Sequence, residues 1–541
     1  EIGIDPGFRI GDETELTLMK NDVMDDLFEK HYEEYAAKKE KATKNGEKLT
    51  AKEQAFVTLI ESYSDNKTDE GLRNMVLQLY QFSMSYPWPE QWLDKNKQAF
   101  RLENLEAMEQ SDWMGFLLEY LHQIVEDVKS ENQKALEICA QPDGPDMYQD
   151  ALLDDGEYID QIAVCKTYEE FSVVLSEHKW ARLSAKKSDT VDADKRELVK
   201  SLREQIKKSL DNLKKHFFFQ NVEQMVSDMQ SLALPMDALM ELTKEFKREY
   251  QKAKEEKRMV DFNDLEHYAL AILLDEKTGN PTSVAEAYRE EFAEILVDEY
   301  QDSNEVQETI LGSICKREPD APNLFMVGDV KQSIYKFRMA RPELFMEKYD
   351  SYSLSDSLYQ RIDLHKNFRS RGIVLDSVNE IFKIIMKKSL GKVEYDDAAA
   401  LYLGNESFVE SERTAKETEL LLVELEGDAD NEEVTKEEEE VSKIEWEARM
   451  VQMRIKELVD PENGLMVIDK KTGELRLCRY GDIAILLRTM SGWSDTYLEV
   501  LKDAGIPVYT ETRCGYFSTY EIRTMLQFLK VLDNPRQDIP L

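Results

Sequence analysis

Hydrophobic residues in roughly the first 255 positions recur three and four residues apart, with charged residues between them. This period places the apolar side chains on one stripe of a helix. It predicts long amphipathic helices over residues 18–39, 52–64, 69–85 and 195–257. Few strand patterns occur here, and loops are expected near 141–145 and 187–190, where Pro, Gly and Ser-Asp interrupt the period. Residues 1–255 are therefore predicted to form a large all-helical domain.

The pattern changes after about residue 256. Short apolar runs bounded by polar residues alternate with helical patterns. They lie at 294–298, 323–328, 359–364, 418–425, 482–487 and 506–509. Runs of this length in this alternation predict parallel strands, so the predicted fold class is α/β, with parallel sheets beside the helical domain. A helix is expected over 436–458, followed by a hairpin that Pro461 and Gly464 open and residues 471–473 close.

Composition is typical of a globular chain with more than one core, with 42% hydrophobic and 33% charged residues among 541. No apolar run approaches the roughly 18–20 residues of a membrane span, and no signal peptide is visible. The cytoplasm is the expected location. The cysteines are far apart and odd in number, which favours reduced structural residues over a disulfide framework or a zinc site. They are Cys139, Cys165, Cys315, Cys478 and Cys514.

The net charge of −40 opposes association with nucleic acid unless basic residues cluster locally. Residues 424–447 hold twelve acids against two lysines, so part of the imbalance lies in one segment. A second segment, with apolar residues at 202, 206, 210, 213 and 217, carries a basic face formed by Arg203, Lys207, Lys208, Lys214 and Lys215. That face is either a DNA contact or an ordinary solvated helix face, and the second interpretation is favoured.

Methionines recur along the end of the predicted helix 195–257. Met225, Met229, Met236 and Met240 keep its spacing. Methionine fills irregular gaps between packed helices, so these residues are predicted to be helix core rather than a binding surface.

Candidate chemistry begins at residues 295–302, Ile-Leu-Val-Asp-Glu-Tyr-Gln-Asp. The run predicts a strand that is buried up to Val297 and ends in two carboxylates, and the carboxyl ends of parallel strands are where open α/β sheets bind ligands. Asp298 could hold Mg²⁺, and Glu299 could orient or deprotonate an attacking water. Taken alone, the pair is equally compatible with a surface turn.

Two later segments support the first interpretation. In 324–338 a strand pattern runs into Gly-Asp, and Gln332 could sense a phosphate oxygen by hydrogen bonding. Tyr335 and Phe337 offer flat faces on which bases of a single strand could stack, although they could also be core aromatics. In 362–370, Phe368 could cover an adenine ring, and Arg369 has the donor fork that suits a transferring phosphoryl group, although a surface ion pair is the alternative.

These three segments, in this order, resemble motifs II, III and IV of the UvrD/Rep branch of superfamily 1 helicases. The resemblance implies ATP and Mg²⁺ as cofactors, DNA as substrate, and RecA-like parallel sheets in two motor domains. It also implies Asp298 as metal ligand, Glu299 as catalytic base, Gln332 and Arg369 on the terminal phosphate, and Phe337 on a base. Phe337 stands where many members have Trp, and Phe368 where many have Tyr, so the aromatic faces are kept. The implied domains are 1–255 as a 1B-like helical insert, 256–350 as a partial first RecA-like domain, and 351–541 as a second one ending where a 2B-like insert would begin.

Further stretches at 7–13, 260–265, 480–488, 505–509 and 532–541 make the chain similar to the AddA family, the helicase subunits of bacterial ATP-dependent helicase/nucleases. That resemblance implies a motor that translocates on DNA and unwinds duplex ends for double-strand break repair by recombination, with an AddB-like subunit forming the other half of a heterodimer. Members carry a nuclease domain that is absent from this sequence. A RecB-like or plain UvrD-like motor, and a non-catalytic DNA-binding scaffold, remain alternatives.

A phosphate-binding P-loop, Gly-x-x-x-x-Gly-Lys-Ser/Thr, is missing from the sequence. The Gly391-Lys392 pair is followed by Val393 and lacks the earlier glycine, and motifs V and VI are not found either. The chain also begins without Met and ends just after the turn-like residues 533–535, as an excised piece would. We therefore expect this polypeptide alone not to hydrolyse ATP, and a longer protein containing it to do so.

Overall fold

The computed structural model of the protein describes residues 6–45, 50–64, 68–186, 190–316, 321–388, 393–409, 411–415, 417–424, 436–469, 471–490, 492–510 and 520–533. The chain divides into two compact units, Glu1–Ile362 and Asp363–Leu541. The predicted helical domain and the first two predicted strands both fall within the first unit. Residues 425–435 of the acidic segment, the Gly391-Lys392 pair and Cys514 lie outside the described residues.

Helices form most of the described part of the first unit. They are α1 (Glu13–Asn45), α2 (Ala51–Tyr63), α3 (Glu70–Ser83), α4 (Pro89–Lys97), α5 (Leu105–Glu109), α6 (Asp112–Cys139), α7 (Gln149–Ala163), α8 (Tyr168–Glu177), α9 (Ala193–Phe217), α10 (Val222–Glu256), α11 (Phe262–Leu273), α12 (Ser283–Glu291), α13 (Glu305–Ile314) and α14 (Pro342–Ser351). The helices predicted over residues 18–85 are confirmed. The prediction of one helix over 195–257 is wrong at its middle, because Asn221 ends the run by accepting a hydrogen bond from the Gln224 N–H at 2.8 Å and starts α10 as its N-cap.

Helix α10 takes part in two large apolar cores. Its first turns pack with α6, α7 and α9, around residues such as Leu121, Ile159 and Ile206. Its later turns pack with α1, α2 and α3, around Phe28 and Phe246. The methionine prediction is confirmed, since Met240 is buried and the other three methionines of the pattern pack against these cores. One long helix therefore joins the two halves of the helical region.

Arg203 corrects the predicted basic face. The side chain is 1% exposed, because position 203 lies on the buried stripe of α9 that also carries Val199 and Ile206. Its guanidinium donates two hydrogen bonds to Asp155, itself fully buried, and a third to the Ala181 carbonyl at 2.8 Å. The other basic residues remain on the outer side of α9. The arginine belongs to the core as half of a buried ion pair rather than to a DNA contact.

Replacing Arg203 with alanine is expected to lower the free energy of unfolding by about 3–5 kcal/mol, because Asp155 would be left as an unpaired carboxylate in an apolar core. Urea denaturation followed by circular dichroism measures the change. The double variant Asp155→Leu/Arg203→Met removes both charges and should recover most of the loss. Lys208→Ala, at an exposed position of the same helix, is the control and should keep the wild-type midpoint. Equal midpoints for Arg203→Ala and Lys208→Ala would contradict this role of the pair.

Two parallel strand pairs are described in the first unit. Strand β1 (Arg9–Ile10) pairs with β2 (Met259–Val260), and β3 (Ile295–Val297) pairs with β4 (Leu324–Met326) in the register Ile295 to Leu324. The predicted parallel pairing of the acidic strand is therefore present. Its predicted burial is wrong, because Leu296 is 71% and Phe325 56% exposed. Among the described residues β3 and β4 form a sheet of two strands, so no further layer covers this face.

The second unit carries two strand pairs and four described helices. Strand β5 (Lys366–Asn367) runs parallel to β6 (Tyr402–Leu403), and β7 (Met466–Ile468) pairs antiparallel with β8 (Leu475–Leu477) in the predicted hairpin, which is confirmed. The helices are α15 (Gly372–Ile385), α16 (Lys436–Leu458), α17 (Ser494–Asp503) and α18 (Tyr520–Asp533). The predicted helix over 436–458 is confirmed.

Four predicted strands of this region are not strands in the described residues. Residues 359–364, 418–424, 482–487 and 506–509 belong to no strand pair, although Gln360 forms one isolated bridge with Ser353. A strand exists only when a neighbouring strand supplies the other half of its hydrogen-bond ladder. Leu364, Leu420 and Leu486, each more than 80% exposed, lie in these segments without a covering layer. The RecA-like sheet therefore remains a proposal, and the described fold is mostly helical with short parallel pairs.

Cysteines and apolar helices agree with the simpler expectations. The four cysteines within the described residues are free thiols, and burial raises the pKa of Cys139 to about 11. No helix in the described part of the chain is both long and apolar enough to cross a membrane.

Candidate nucleotide site

Two acids follow directly on the end of β3. The strand ends at Val297, whose carbonyl accepts a hydrogen bond from the Val327 N–H beyond β4 at 2.8 Å. Asp298 and Glu299 come next, and both are exposed. Glu299 has a φ of 49°, in the left-handed region that non-glycine residues rarely adopt. Its own N–H donates to Asp298 Oδ1 at 2.9 Å. The turn therefore presents both carboxylates to solvent at the carboxyl edge of the strand pair.

Asp298 has the properties of a magnesium ligand that works with a nucleotide. One of its oxygens accepts from Glu299, and the other has no hydrogen-bond partner among the described residues. No group of three or more His, Cys, Asp or Glu side chains in the described ranges could hold a metal alone. Mg²⁺ at nucleotide sites takes one or two carboxylates and completes its shell with phosphate oxygens and water. One free carboxylate oxygen at a strand end fits that chemistry.

Gln332 lies on the loop after β4, next to Asp329. Its Nε2 donates to Asp329 Oδ2 at 3.0 Å, and Lys331 pairs with Asp329 Oδ1 at 2.9 Å. Burial favours a higher pKa for Asp329, but the hydrogen bonds from Lys331 and Gln332 outweigh it and leave the pKa below its usual value. Asp329 is therefore held as an anion that fixes the Gln332 amide.

Gln301 is a site residue that the sequence patterns did not indicate. It is buried in the 3₁₀ turn Tyr300–Asp302, and its amide bonds both to the Glu299 carboxylate and to the Asp329 backbone. The available signal was a glutamine two positions after an acid pair at a strand end. That signal is weak, since glutamine is common in exposed turns.

The aromatic residues of the same loop face solvent. Phe337 is 67% and Tyr335 37% exposed, with ring centroids 5.8 Å apart. The guanidinium of Arg338 lies over both rings, 5.1 Å from the Tyr335 centroid and 5.7 Å from that of Phe337. The alternative that these are core aromatics does not hold. The loop presents two rings and a cation, the combination that suits stacked bases and a phosphate backbone.

In the second unit, Asn367 organises the turn that carries the remaining candidates. Its Oδ1 accepts hydrogen bonds from the Arg369 N–H at 2.9 Å and from the Ser370 N–H at 2.8 Å. Arg369 is exposed, and its guanidinium forms no ion pair with any residue that the structure describes. The surface ion pair considered as its alternative is therefore absent there. Its donor fork is available to an external anion.

Phe368, also exposed, rests on the backbone of Gly404. A Cβ at position 404 would lie 2.8 Å from Phe368 Cε1, so only glycine lets the ring keep this position. No sequence pattern indicated this glycine, because its partner is thirty-six positions away. The candidate residues thus form two sets, one in each compact unit: Asp298, Glu299, Gln332, Tyr335 and Phe337 in the first, and Phe368 and Arg369 in the second. Their convergence on one triphosphate stays a prediction.

Comparisons with known proteins bear on both units. Residues 93–353 match the family model described as the UvrD/REP helicase N-terminal domain, and residues 362–541 match that of the UvrD-like helicase C-terminal domain. All of the chain aligns with proteins named as the AddA-type subunit of ATP-dependent helicase/nucleases, at 46% identity in Lachnoclostridium phytofermentans, 40% in Clostridium beijerinckii and 39% in Acetivibrio thermocellus. The chain spans only 40%, 43% and 44% of the length of these three relatives.

Proposed function

Since this chain belongs to the UvrD/REP helicase family, as its motifs indicated, we propose that it is motor sequence of an ATP-dependent DNA helicase/nuclease subunit. The observation that supports this most directly is the arrangement after β3 and β4. There an exposed acid pair and a phosphate-sensing amide are joined by hydrogen bonds at the carboxyl ends of two parallel strands. That edge is where α/β sheets bind ligands.

Each polar group of the first unit has a role in hydrolysis. Asp298 holds Mg²⁺, which when bound neutralises charge on the phosphate oxygens. Glu299 accepts the proton of the attacking water, or orients that water for in-line attack. Gln332 donates to a terminal phosphate oxygen and distinguishes ATP from ADP. The short segment from Gln332 to Phe337 then connects the nucleotide state to base stacking.

The second unit supplies the opposing groups. Arg369 stabilises charge on the terminal phosphate, and Phe368 covers the adenine ring. Closure of the two motor domains on ATP and opening after hydrolysis would move Phe337 and Tyr335 along a single strand of DNA. We propose RecA-like sheets for both motor domains, with the boundaries 256–350 and 351–541, and the helical region 1–255 as a 1B-like insert.

The longer protein is proposed to contribute what this chain lacks. A P-loop would bind the phosphates, and a nuclease domain would cut the unwound strands. An AddB-like subunit would complete a cytoplasmic heterodimer that processes duplex ends for double-strand break repair by recombination. These proposals follow the name that the relatives carry, which describes one subunit of an ATP-dependent helicase/nuclease.

Hydrolysis assays on two proteins test the proposal. A longer protein that contains this chain and a P-loop is expected to hydrolyse ATP and to be stimulated by single-stranded DNA, while the chain alone should show no turnover above background. Binding of labelled single strands to both proteins checks that each is competent to meet DNA. An inactive longer protein would favour the DNA-binding scaffold, and turnover by the chain alone would contradict the need for a P-loop. A nuclease assay on the longer protein separates a helicase/nuclease subunit from a plain UvrD-like motor.

A further inference from the structure

A buried glutamine connects the two loops that carry the proposed catalytic groups. Gln301 is 1% exposed and lies in the turn that follows β3. A primary amide this far from water has to satisfy its N–H donors and its carbonyl oxygen within the protein. Its partners therefore indicate its role.

The amide makes contact in two directions. Nε2 donates to Glu299 Oε2 at 2.7 Å and, more weakly, to Asp302 Oδ2 at 3.4 Å. Oε1 accepts from the backbone N–H of Asp329 at 2.9 Å. A backbone N–H can only donate, so the carbonyl end of the amide must face Asp329. The orientation of the amide is thereby fixed, and its N–H group must point at the Glu299 carboxylate.

Gly328 permits this close approach of the two loops. A Cβ at position 328 would lie 2.5 Å from Gln301 Oε1 and 3.3 Å from the Gln301 backbone nitrogen. Any larger residue would displace the amide or the backbone that carries it. The glycine before Asp329 is thus required by the amide of the other loop.

Glu299 depends on such support. Its left-handed backbone conformation is unfavourable for a residue with a side chain and persists only where the surroundings fix it. Asp298 Oδ1 holds its backbone N–H, and Gln301 holds its carboxylate. The free carboxylate oxygen of Glu299 is left in one defined position.

The other end of the path reaches Gln332. The residue whose N–H bonds to Gln301 is also the residue whose carboxylate accepts from Gln332 Nε2 at 3.0 Å. We propose that Gln301 is a positioning residue that orients the Glu299 carboxylate and couples it, through Asp329, to Gln332. Phosphate contact at Gln332 would then be transmitted to the base that activates water. This inference rests on the proposed ATPase function and adds a positioning residue to its site.

Gln301→Met in the longer, P-loop-containing protein tests the positioning role. Methionine keeps the volume and loses every hydrogen bond, so kcat for ATP is expected to fall about 10²-fold, the effect of misplacing a catalytic group by about an ångström. The KM for ATP should be unchanged, because the amide touches no nucleotide. The control is Gln307→Met, which removes another half-buried glutamine that bonds a carboxylate, Glu266, at 2.8 Å. It should keep the wild-type kcat.

A pH profile separates positioning from a general loss of stability. The ionisable groups around the Glu299 carboxylate are Asp298 and Asp302 on its own loop, and Asp329 and Lys331 on the loop after β4. Gln301 is the neutral donor between these acids. Gln301→Glu puts a further carboxylate there without changing the shape, so the acidic limb of the kcat profile should move to higher pH. A wild-type profile in this variant would overturn the proposal.

A double-mutant cycle tests the coupling. If Gln301 and Gln332 act independently, the losses of kcat in Gln301→Met and Gln332→Ala multiply in the double variant. We expect the double variant to lose little more than the less active single variant, because either change breaks the same path. Multiplied losses would refute the coupling, and a wild-type kcat in Gln301→Met would refute the positioning role while leaving the ATPase function intact. An inactive wild-type protein would instead overturn the proposed function itself.

Discussion

Arg369→Ala is expected to reduce ATP turnover by the longer protein about 10³–10⁵-fold, the range over which an arginine finger acts. The reason is the exposed guanidinium, which is paired with no described carboxylate and can direct its donors to the phosphoryl group. Steady-state hydrolysis at saturating ATP and single-stranded DNA measures the effect. Arg369→Lys should recover only a small part, because an ammonium keeps the charge but not the planar fork.

Arg371 supplies the matched control for Arg369. It lies two positions later, and its guanidinium is already engaged by the Val409 carbonyl at 2.8 Å and by the ring of Phe408. Arg371→Ala should therefore keep turnover near the wild-type value. Equal losses in the two variants would mean that Arg369 supports the local fold rather than the reaction.

Glu299→Gln is expected to lower kcat about 10²–10⁴-fold, the contribution of a general base. The amide keeps the shape of the side chain but cannot accept a proton, so binding of a non-hydrolysable ATP analogue should persist. Rapid-quench measurement of a single turnover isolates the chemical step from product release.

Glu294→Gln controls for the loss of one negative charge near the site. Glu294 is an exposed carboxylate immediately before β3, at the opposite end of the same strand. Its replacement should leave kcat unchanged. Loss of analogue binding together with kcat in Glu299→Gln would speak against a role confined to the chemical step and for a role in holding the loop.

Residues that were predictable from sequence share one property, which is that the signal lies within a few neighbouring positions. The helices of the first unit follow from apolar spacing, and Asn221 is a recognisable N-cap although the continuous period had hidden it. The acid pair and its position after a strand were predictable for the same reason. Tyr335 and Phe337 could be placed on the loop after β4, while their exposure became known only from the structure.

Arg203 and Gln301 show where local patterns are insufficient. A basic residue on an amphipathic helix is read as solvent-facing, yet Arg203 pairs with an acid 48 positions away on another helix. Gln301 owes its role to Asp329, 28 positions later, and Gly404 owes its own to Phe368. The partner in each case is brought close by folding, so no window of adjacent residues contains both halves of the interaction.

The amino-acid order alone determined the helical region, the candidate groups for ATP and DNA, and the family, because periodicity and short motifs are properties of neighbouring residues. Tertiary structure decided which strands pair, which charged residues are buried, and which side chain holds the base. Strand ladders, buried ion pairs and amide bridges all join distant positions, and their free energies depend on burial and geometry that exist only after the chain has folded.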